Sequence, residues 1–318
     1  MATMVTTLNH KIATVVCTYN NKGSIVKVIS ALLSQKHPIK EIIVVDNASS
    51  DGTQDLIKHI FPNITLLSNN KNLGVGGGYA NGMEYAYYKE YDWIWLLDGD
   101  SIPHKLSLKK LIEFLPSIKD KYCEAGILAS SAVNSVTGLR EYYFMKNSFI
   151  RLIENSDISK SFYVVDSVIS SGSLINRDVI RDAGLPRIDF FMDFVDYEYS
   201  LRVKKAGYKI VYIPSSIIYH CLGETKMMRK ITKFWKKFPS PLHAPWRQYY
   251  MTRNELYIYL YIIPSFRALI FYIGRLLRTT IAILLKPEIG EKISRIKYIL
   301  LGLKDGVRGR LGRIVSDS

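Results

Sequence analysis

The chain has 318 residues, 48% hydrophobic and 22% charged, which excludes a disordered polymer and allows one large domain or one with an appendage. Its 43 Lys and Arg outnumber 28 Asp and Glu to give a formal charge of +15, and such a balance implies an anionic partner: lipid head groups, nucleic acid or a phosphorylated ligand. The three cysteines, Cys17, Cys123 and Cys221, have no zinc or redox spacing and fit a reducing compartment, and Met1 to His10 holds no apolar stretch of a secretory signal.

Ile12 to Cys17 is a short apolar, β-branched run, read as a strand that ends in the polar Thr18-Tyr19-Asn20. Ile25, Val28, Ile29 and Leu32 then share a helical face behind Ser24, a suitable cap, and His37-Pro38 is expected to stop that helix. Ile42 to Val45 is a second strand closing on Asp46; a short helix with Leu56, Ile57 and Ile60 and a strand at Ile64 to Leu67 follow. This alternation predicts a parallel sheet with right-handed crossovers. It puts Asp46 at a strand's carboxyl end, where open α/β sheets bind ligands. There the carboxylate either accepts bonds from a nucleotide's base or ribose, or caps the following turn.

Past Asn69 to Asn72, Gly74, Gly76, Gly77 and Gly78 fall within five residues ahead of a helical stretch. Glycines so dense allow close backbone approach and present backbone N–H groups to an anion, which makes Gly76 and Gly77 candidate contacts; a flexible connector is the structural alternative. Tyr79 or Asn81 stands where a dinucleotide fingerprint needs its last glycine, and no Lys-Ser/Thr follows for a Walker loop. Trp93 to Leu97 reads as a strand buried on both faces, and it ends in Asp98-Gly99-Asp100. Two carboxylates so close need a compensating cation, which a divalent metal carrying a phosphorylated ligand supplies. An Asx turn leaving the strand accounts for the same residues.

Leu108, Leu111, Ile112 and Leu115 continue the helical pattern, Gly126 to Ala129 is a strand candidate, and Tyr142 to Phe144 an edge strand. Val164 to Ile175 has β character, broken at Ser170 to Ser173. Asp193, Asp196 and Glu198 then alternate with aromatic residues and lead into a helix through Leu201 to Lys205. Asp193 and Asp196 share a face if that turn is already helical. A carboxylate beside apolar rings is desolvated, which raises its pKa and suits a general base; an acidic first turn favoured by the helix dipole is the structural alternative. Tyr208 to Ile213 and Ile217 to His220 are two extended pieces, and His220 could complete a metal site already supplied with carboxylates.

Basic residues crowd Lys226 to Lys237 and recur from Arg267 to Arg313. Leu256 to Leu285 is strongly apolar but interrupted by Pro264, Arg267, Arg275 and Arg278, so a spanning helix is not expected. The expectation is a helix in the membrane interface, a pair of helices packed on the preceding domain, or both.

Thr18-Tyr19-Asn20, Val45-Asp46-Asn47-Ala48-Ser49, Asp51-Gly52-Thr53, Asn72-Leu73-Gly74, Asp98-Gly99-Asp100 with Pro103, Asp193-x-x-Asp196-x-Glu198 and His220 form an ordered set. It resembles family 2 glycosyltransferases of the GT-A fold, over residues 11 to 255 or so. Asn72 to Met83, Asp196-Tyr197-Glu198 and Tyr249-Tyr250-x-x-Arg253-Asn254 are similar to the rhamnosyl- and galactofuranosyl-transferase branch. The resemblance implies an α/β GT-A domain over residues 1–245, a Rossmann-like, mainly parallel sheet flanked by helices. Residues 246–318 would then be a helical, basic, membrane-associating region. It implies that Thr18, Tyr19, Asn20, Asp46, Asn72, Gly76, Gly77 and Asp98 bind the nucleotide-sugar donor, and that Asp98, Asp100 and His220 hold Mg²⁺ or Mn²⁺. Asp196 would be the catalytic base, with Asp193 and Glu198 positioning the acceptor or supporting it; Gly99 departs from relatives that carry a third acid there.

The implied reaction is inverting transfer from a dTDP-rhamnose or UDP-galactofuranose type of donor to a hydroxyl of a cell-surface glycan or lipid-linked acceptor. It would take place in the cytoplasm, peripherally on the inner face of the cell membrane. A sugar nucleotidyltransferase is the alternative enzyme, although Leu73 to Gly82 holds no Lys or Arg for a triphosphate. A non-catalytic basic adaptor for membrane or nucleic acid is the other; no nucleic acid is expected, since no recognition motif accompanies the charge.

Overall fold

The structure, a computed structural model, describes residues 10–115, 125–135, 138, 140, 143–146, 149–152, 160–220, 244–285 and 291–313. Cys123, Cys221, Tyr142 and the Lys226 to Lys237 cluster lie outside the described residues.

Strands β1 (Ile12–Thr18), β2 (Glu41–Asp46), β3 (Thr65–Ser68) and β4 (Trp93–Asp98) form a parallel array in the order β3-β2-β1-β4. The first two and the last are apolar nearly throughout because alternate residues feed cores on opposite faces. Ala13, Val15 and Cys17 pack with Tyr79, Met83 and Ala86 of helix α3 (Gly74–Tyr88). Ile12 and Val16 pack with Ile25, Val28, Ile29 and Leu32 of helix α1 (Ile25–Leu33) and with Ile57 of helix α2 (Thr53–Ile60).

The sheet extends past β4 through β10 (Ser173–Asn176), β6 (Ala125–Asn134), β11 (Lys209–His220) and β5 (Ile102–Pro103), with β9 (Tyr163–Val165) also on β11. Here parallel and antiparallel pairs mix: β10 runs against both neighbours, whereas β6 and β11 are parallel. β7 (Tyr143–Lys146) and β8 (Phe149–Leu152) make a separate two-stranded sheet. Helices α4 (Ser107–Glu113), α5 (Arg177–Ala183) and α6 (Val195–Lys205) complete the flanks. α7 (Arg247–Tyr257), α8 (Phe266–Leu285) and α9 (Lys292–Val307) follow, with a π turn at Ile258–Ile262.

Four local expectations are corrected. Helix α1 ends at Leu33, before His37-Pro38, and Ser24 makes no side-chain cap; its hydroxyl donates to the Gly99 carbonyl at 2.9 Å. The glycines lie inside α3 rather than ahead of it. The two extended pieces at 208–220 are one strand, whose register shifts between Ile213 and Ile217 around Pro214 because proline cannot donate to the ladder. Finally, α8 is an unbroken 20-residue helix, long and apolar enough to cross a membrane by length and composition, so interruption by arginine does not exclude it on those grounds.

Candidate active site

Strand register assembles the first part of the site. β1 pairs Thr18 with Asp46 on one side and Cys17 with Asp98 on the other, so both acidic strand ends flank the end of β1. β5 pairs with the end of β11, Tyr219 opposite Ile102, and this folds the Asp98-Gly99-Asp100 turn back onto His220. Ligand atoms of Asp98, Asp100 and His220 all lie within 4.8 Å of one another. His220 Nδ1 sits 2.7 Å from Ser101 Oγ and 3.4 Å from Asp100 Oδ1. Two carboxylates and an imidazole with one rim exposed fit a hard or borderline divalent cation such as Mg²⁺ or Mn²⁺.

Asp98 is the protected member of this trio. Tyr79, reaching up from α3, donates its hydroxyl to Asp98 Oδ1 at 2.7 Å, and the Asp98 N–H donates to Ser171 Oγ at 3.1 Å. Burial pushes the Asp98 pKa up, His220 draws it back, and Asp100 adds to the rise. Gly99 between them has no room for a side chain: an added Cβ would stand 2.6 Å from Thr18 Oγ1 and 2.7 Å from Asn21 Nδ2. A side chain at Gly99 would therefore require Thr18 and Asn21 to shift.

Beside the trio stand the adjoining strand ends, Thr18 and Asp46. Asp46 is fully buried; its Oδ2 accepts from the Ser49 N–H at 2.8 Å and from Gln54 Nε2 at 2.7 Å. Its Oδ1 and the neighbouring Thr18 Oγ1 are buried with no hydrogen-bond partner among the described residues. An unpaired buried acceptor costs free energy of about 1–3 kcal/mol, so these atoms fit a bound ligand's donors. Tyr19 is exposed at the rim. Asn20, with φ of +52°, accepts from the Ser50 N–H at 2.8 Å and so ties the loop after β1 to the loop after β2.

A second loop closes the site from above. Phe191, Asp193 and Phe194 all have φ between +55° and +64°, a conformation that costs on the order of 1 kcal/mol or more for each such residue. One side chain holds the loop in that shape: Asn254 Nδ2 faces the carbonyls of Phe190, Met192 and Asp193 at 3.0, 2.8 and 2.8 Å. Fully buried Arg253 donates to Asn254 Oδ1 at 2.8 Å and to the Phe190 carbonyl at 3.1 Å, its guanidinium 5.1 and 5.0 Å from the centres of the Tyr249 and Tyr250 rings. The loop thereby presents Asp196 at the start of α6. Burial raises the Asp196 pKa from 3.8 to about 7, the charges of Asp193 and Asp98 add to the rise, and the Tyr197 N–H opposes it.

Residues 14–183 match the family model for glycosyl transferase family 2. The chain belongs to that family. A dTDP-rhamnosyl transferase, RfbF of Shigella flexneri, is 26% identical to this glycosyltransferase over 96% of the chain and 98% of its own length. Galactofuranosyltransferase GlfT1 of Mycolicibacterium smegmatis is 34% identical over 62% of the chain and 66% of its own length. The resemblance to the rhamnosyl- and galactofuranosyl-transferase branch therefore holds. Among solved structures, GalNAc-T7 with UDP, GalNAc and Mn²⁺ superposes with a TM-score of 0.55 at 13% identity, over 94% of this chain and 56% of that one. TarS of S. aureus gives 0.50 at 13% identity, over 93% and 55%. The fold of this glycosyltransferase is GT-A.

Several residues of the glycosyltransferase do different work from that expected. Glu198 is buried and bonded at both oxygens to Arg202, 2.6 and 3.0 Å, which removes it from the acceptor side. Asp193 is outside the helix and does not share a helical face with Asp196; Arg247 Nε and Nη2 grip its carboxylate at 2.8–3.1 Å. Gly76 offers its N–H to the Phe191 carbonyl at 3.3 Å, and a Cβ there would meet the Arg187 carbonyl at 2.4 Å. Gly77 faces Leu73, and Asn72 Oδ1 accepts from the Gly74 N–H at 2.8 Å. The glycines at the start of α3 thus admit the acidic loop's backbone, the close approach that their density allows. Two residues that the sequence did not single out for the site belong to it. Tyr79 braces Asp98, and Arg247 feels the charges of Asp193, Asp98 and Asp196, all of which raise its pKa. Neither lies in a recognisable spacing; a tyrosine within a glycine run is the sole local signal.

Proposed function

We propose that this glycosyltransferase moves rhamnose or galactofuranose from a nucleoside-diphosphate donor to a hydroxyl of a glycan or lipid-linked acceptor, with inversion, in surface polysaccharide synthesis. One observation carries the reading: the unpartnered Asp46 Oδ1, the Asp98–Asp100–His220 trio and the raised-pKa Asp196 converge at one edge of the sheet. The RfbF and GlfT1 relatives support the donor class.

Asp46 Oδ1 and Thr18 Oγ1 receive the base of the donor, since a pyrimidine N–H is the donor that a buried carboxylate oxygen lacks. Tyr19 is the rim residue beside it. Asp98, Asp100 and His220 hold the divalent cation, with Tyr79 fixing the Asp98 carboxylate. Bound there, the cation supplies positive charge against the departing diphosphate. Arg247, oriented by Asp193, is a second fixed positive charge in the same site. Asp196, with a pKa near the working pH, takes the proton from the acceptor hydroxyl as that oxygen attacks the anomeric carbon from the face opposite the leaving group. A single displacement inverts configuration. The nucleotidyltransferase alternative is disfavoured by the family match and by the lack of Lys or Arg in Leu73 to Gly82.

The test is nucleoside-diphosphate release from dTDP-rhamnose and UDP-galactofuranose by the full chain, with Mn²⁺ or with chelator, followed by analysis of the glycosidic product. Metal-dependent release, abolished in Asp196→Asn while Mn²⁺-dependent donor binding persists, supports the assignment. Undiminished turnover by Asp196→Asn removes that residue from the mechanism, and pyrophosphate release from a nucleoside triphosphate and sugar phosphate favours the nucleotidyltransferase.

A further inference from the structure

The two faces of α8 have opposite environments. Ala268, Tyr272 and Ile283 are buried, the Tyr272 hydroxyl donates to the Thr252 carbonyl at 3.1 Å, and Arg275 pairs with buried Glu255. Phe266, Ile270, Ile273, Leu277, Ile281 and Leu284 recur at steps of four or three residues, so they form one row along about 27 Å of helix. Each of the six is between 46% and 78% exposed. A continuous apolar row of this length on the surface marks an interaction face.

Charge decides which partner covers it. Helix α8 carries three arginines and no acid, and Arg267 and Arg278 are exposed. On α9, exposed Ile293, Leu300 and Val307 recur every seven residues beside exposed Lys297 and Lys304, and exposed Arg308 and Arg310 follow directly. The acids of residues 291–313 are Glu291 and Asp305, of which Asp305 is buried. An apolar row bordered by cations and nearly free of acids complements a bilayer with anionic head groups. A second copy of the chain would set these cations against each other.

We propose that α8 and α9 form a membrane-docking surface that lies flat on an anionic bilayer, the cytoplasmic face of the cell membrane. The α8 row enters the head-group boundary, and the neighbouring Arg and Lys side chains meet lipid phosphates. Although α8 is long and apolar enough to span, its inner face is fastened. Insertion would strip Arg275 from Glu255 and Tyr272 from Thr252, and would carry three arginines into hydrocarbon. Docking has a consequence for the site. Glu255 and Thr252 belong to α7, which also supplies Arg247, Arg253 and Asn254, so the docked helix is one helix removed from the loop that presents Asp196. The proposal does not depend on the identity of the transferred sugar.

Flotation of the full chain with phosphatidylcholine vesicles, with and without about 30% phosphatidylglycerol, tests it at low and high salt. The expected result is flotation with the anionic vesicles, weakened about tenfold or more without phosphatidylglycerol or at high salt. A combined Ile270→Gln, Leu277→Gln, Ile281→Gln variant changes exposed residues alone, and its fold is checked by circular dichroism. It should lose flotation about tenfold or more while keeping Mn²⁺-dependent donor binding, which separates failure of docking from failure of the enzymatic reading. Unchanged flotation of that variant overturns the proposal. So does retention of the wild type in the bilayer through an alkaline carbonate wash, which indicates a spanning helix. A wild-type dimer that the same variant dissolves, without vesicle binding, assigns the row to a second copy and likewise overturns it.

Discussion

Asp196→Asn should make the protein more stable as it makes it inactive. The carboxylate pKa is raised from 3.8 to about 7, chiefly by burial, so the charged form is less favourable in the folded chain than in the unfolded one. A rise of about three in pKa corresponds to about 4 kcal/mol at 1.36 kcal/mol for each unit. Asp196 is only partly covered, and solvent at its rim reduces the figure to roughly 2 kcal/mol. The sign follows from proton counting. Between 3.8 and about 7 the folded state holds a proton that the unfolded state has lost, so wild-type stability rises as pH falls through that window and is lowest above it. The asparagine has no charge to desolvate and keeps an oxygen to accept from the Tyr197 N–H. At pH 8 thermal unfolding of Asp196→Asn should therefore lie roughly 3 °C above the wild type, from an unfolding entropy of about 2.1 cal/mol/K per residue over 318 residues. At pH 5.5 about half of that gap should remain, and near pH 4 almost none. Calorimetry across this range, with chelator present, reads the effect. Equal or lower stability at pH 8 would show that the carboxylate is not disfavoured by its surroundings and would refute the reasoning. With a divalent cation bound beside Asp98 the Asp196 pKa is drawn down, so the fall of wild-type kcat/KM with falling pH should begin below 7, while the pKa read by calorimetry with chelator should lie higher.

Tyr79→Phe removes the hydroxyl that braces Asp98 at 2.7 Å, and Mn²⁺ affinity measured by titration calorimetry should fall about tenfold with the fold intact. Glu198→Gln breaks the paired bonds to Arg202 and should cost about 2 kcal/mol in denaturant unfolding, with little change in kcat. Gly74→Ala should be far more damaging: its φ is +70° and the new Cβ would stand 2.1 Å from the Phe191 carbonyl, so loss of about 3 kcal/mol and of transfer together is expected in unfolding and release assays. Arg247→Gln leaves the Asp193 carboxylate without its cation, and nucleoside-diphosphate release should fall about a hundredfold, with nucleoside-monophosphate affinity unchanged in calorimetry.

The strand ends were legible because buried parallel strands are apolar runs, and whatever polar residue terminates such a run stands at the ligand-binding edge. Asp46 and Asp98 followed from that alone, and β5 pairing with β11 then brought in His220. For the glycines the sequence left close backbone approach and anion contact both open, for a non-local reason. Their closeness to Phe191 and Arg187 depends on contacts more than a hundred residues away, and nothing within Gly74 to Gly78 distinguishes a neighbouring peptide from a phosphate. Glu198 is different, since Arg202 stands four residues on, the spacing of an intrahelical ion pair, and that signal was in the sequence. Arg247 offered no signal at all: one cation among 43, it becomes part of the site only when α7 docks on the strained loop.

That docking bears on where one unit of this enzyme ends and another begins. The change in composition near residue 246 suggests a catalytic domain followed by a helical addition. The loop from Phe191 to Phe194, however, holds three non-glycine residues at positive φ, and its carbonyls are satisfied by Asn254 and Arg253 from α7. On the other side, Gly76 of α3 gives its N–H to the same loop, which is therefore clamped between α3 and the C-terminal helices. A backbone so strained persists when its surroundings over-determine it. Asp196 is consequently placed by both parts together, and α8, fastened to α7 through Tyr272 and Arg275, continues the same rigid path outward to the apolar row. Wherever that row is seated, Asp196 and the surface are separated by packed helices rather than by a tether.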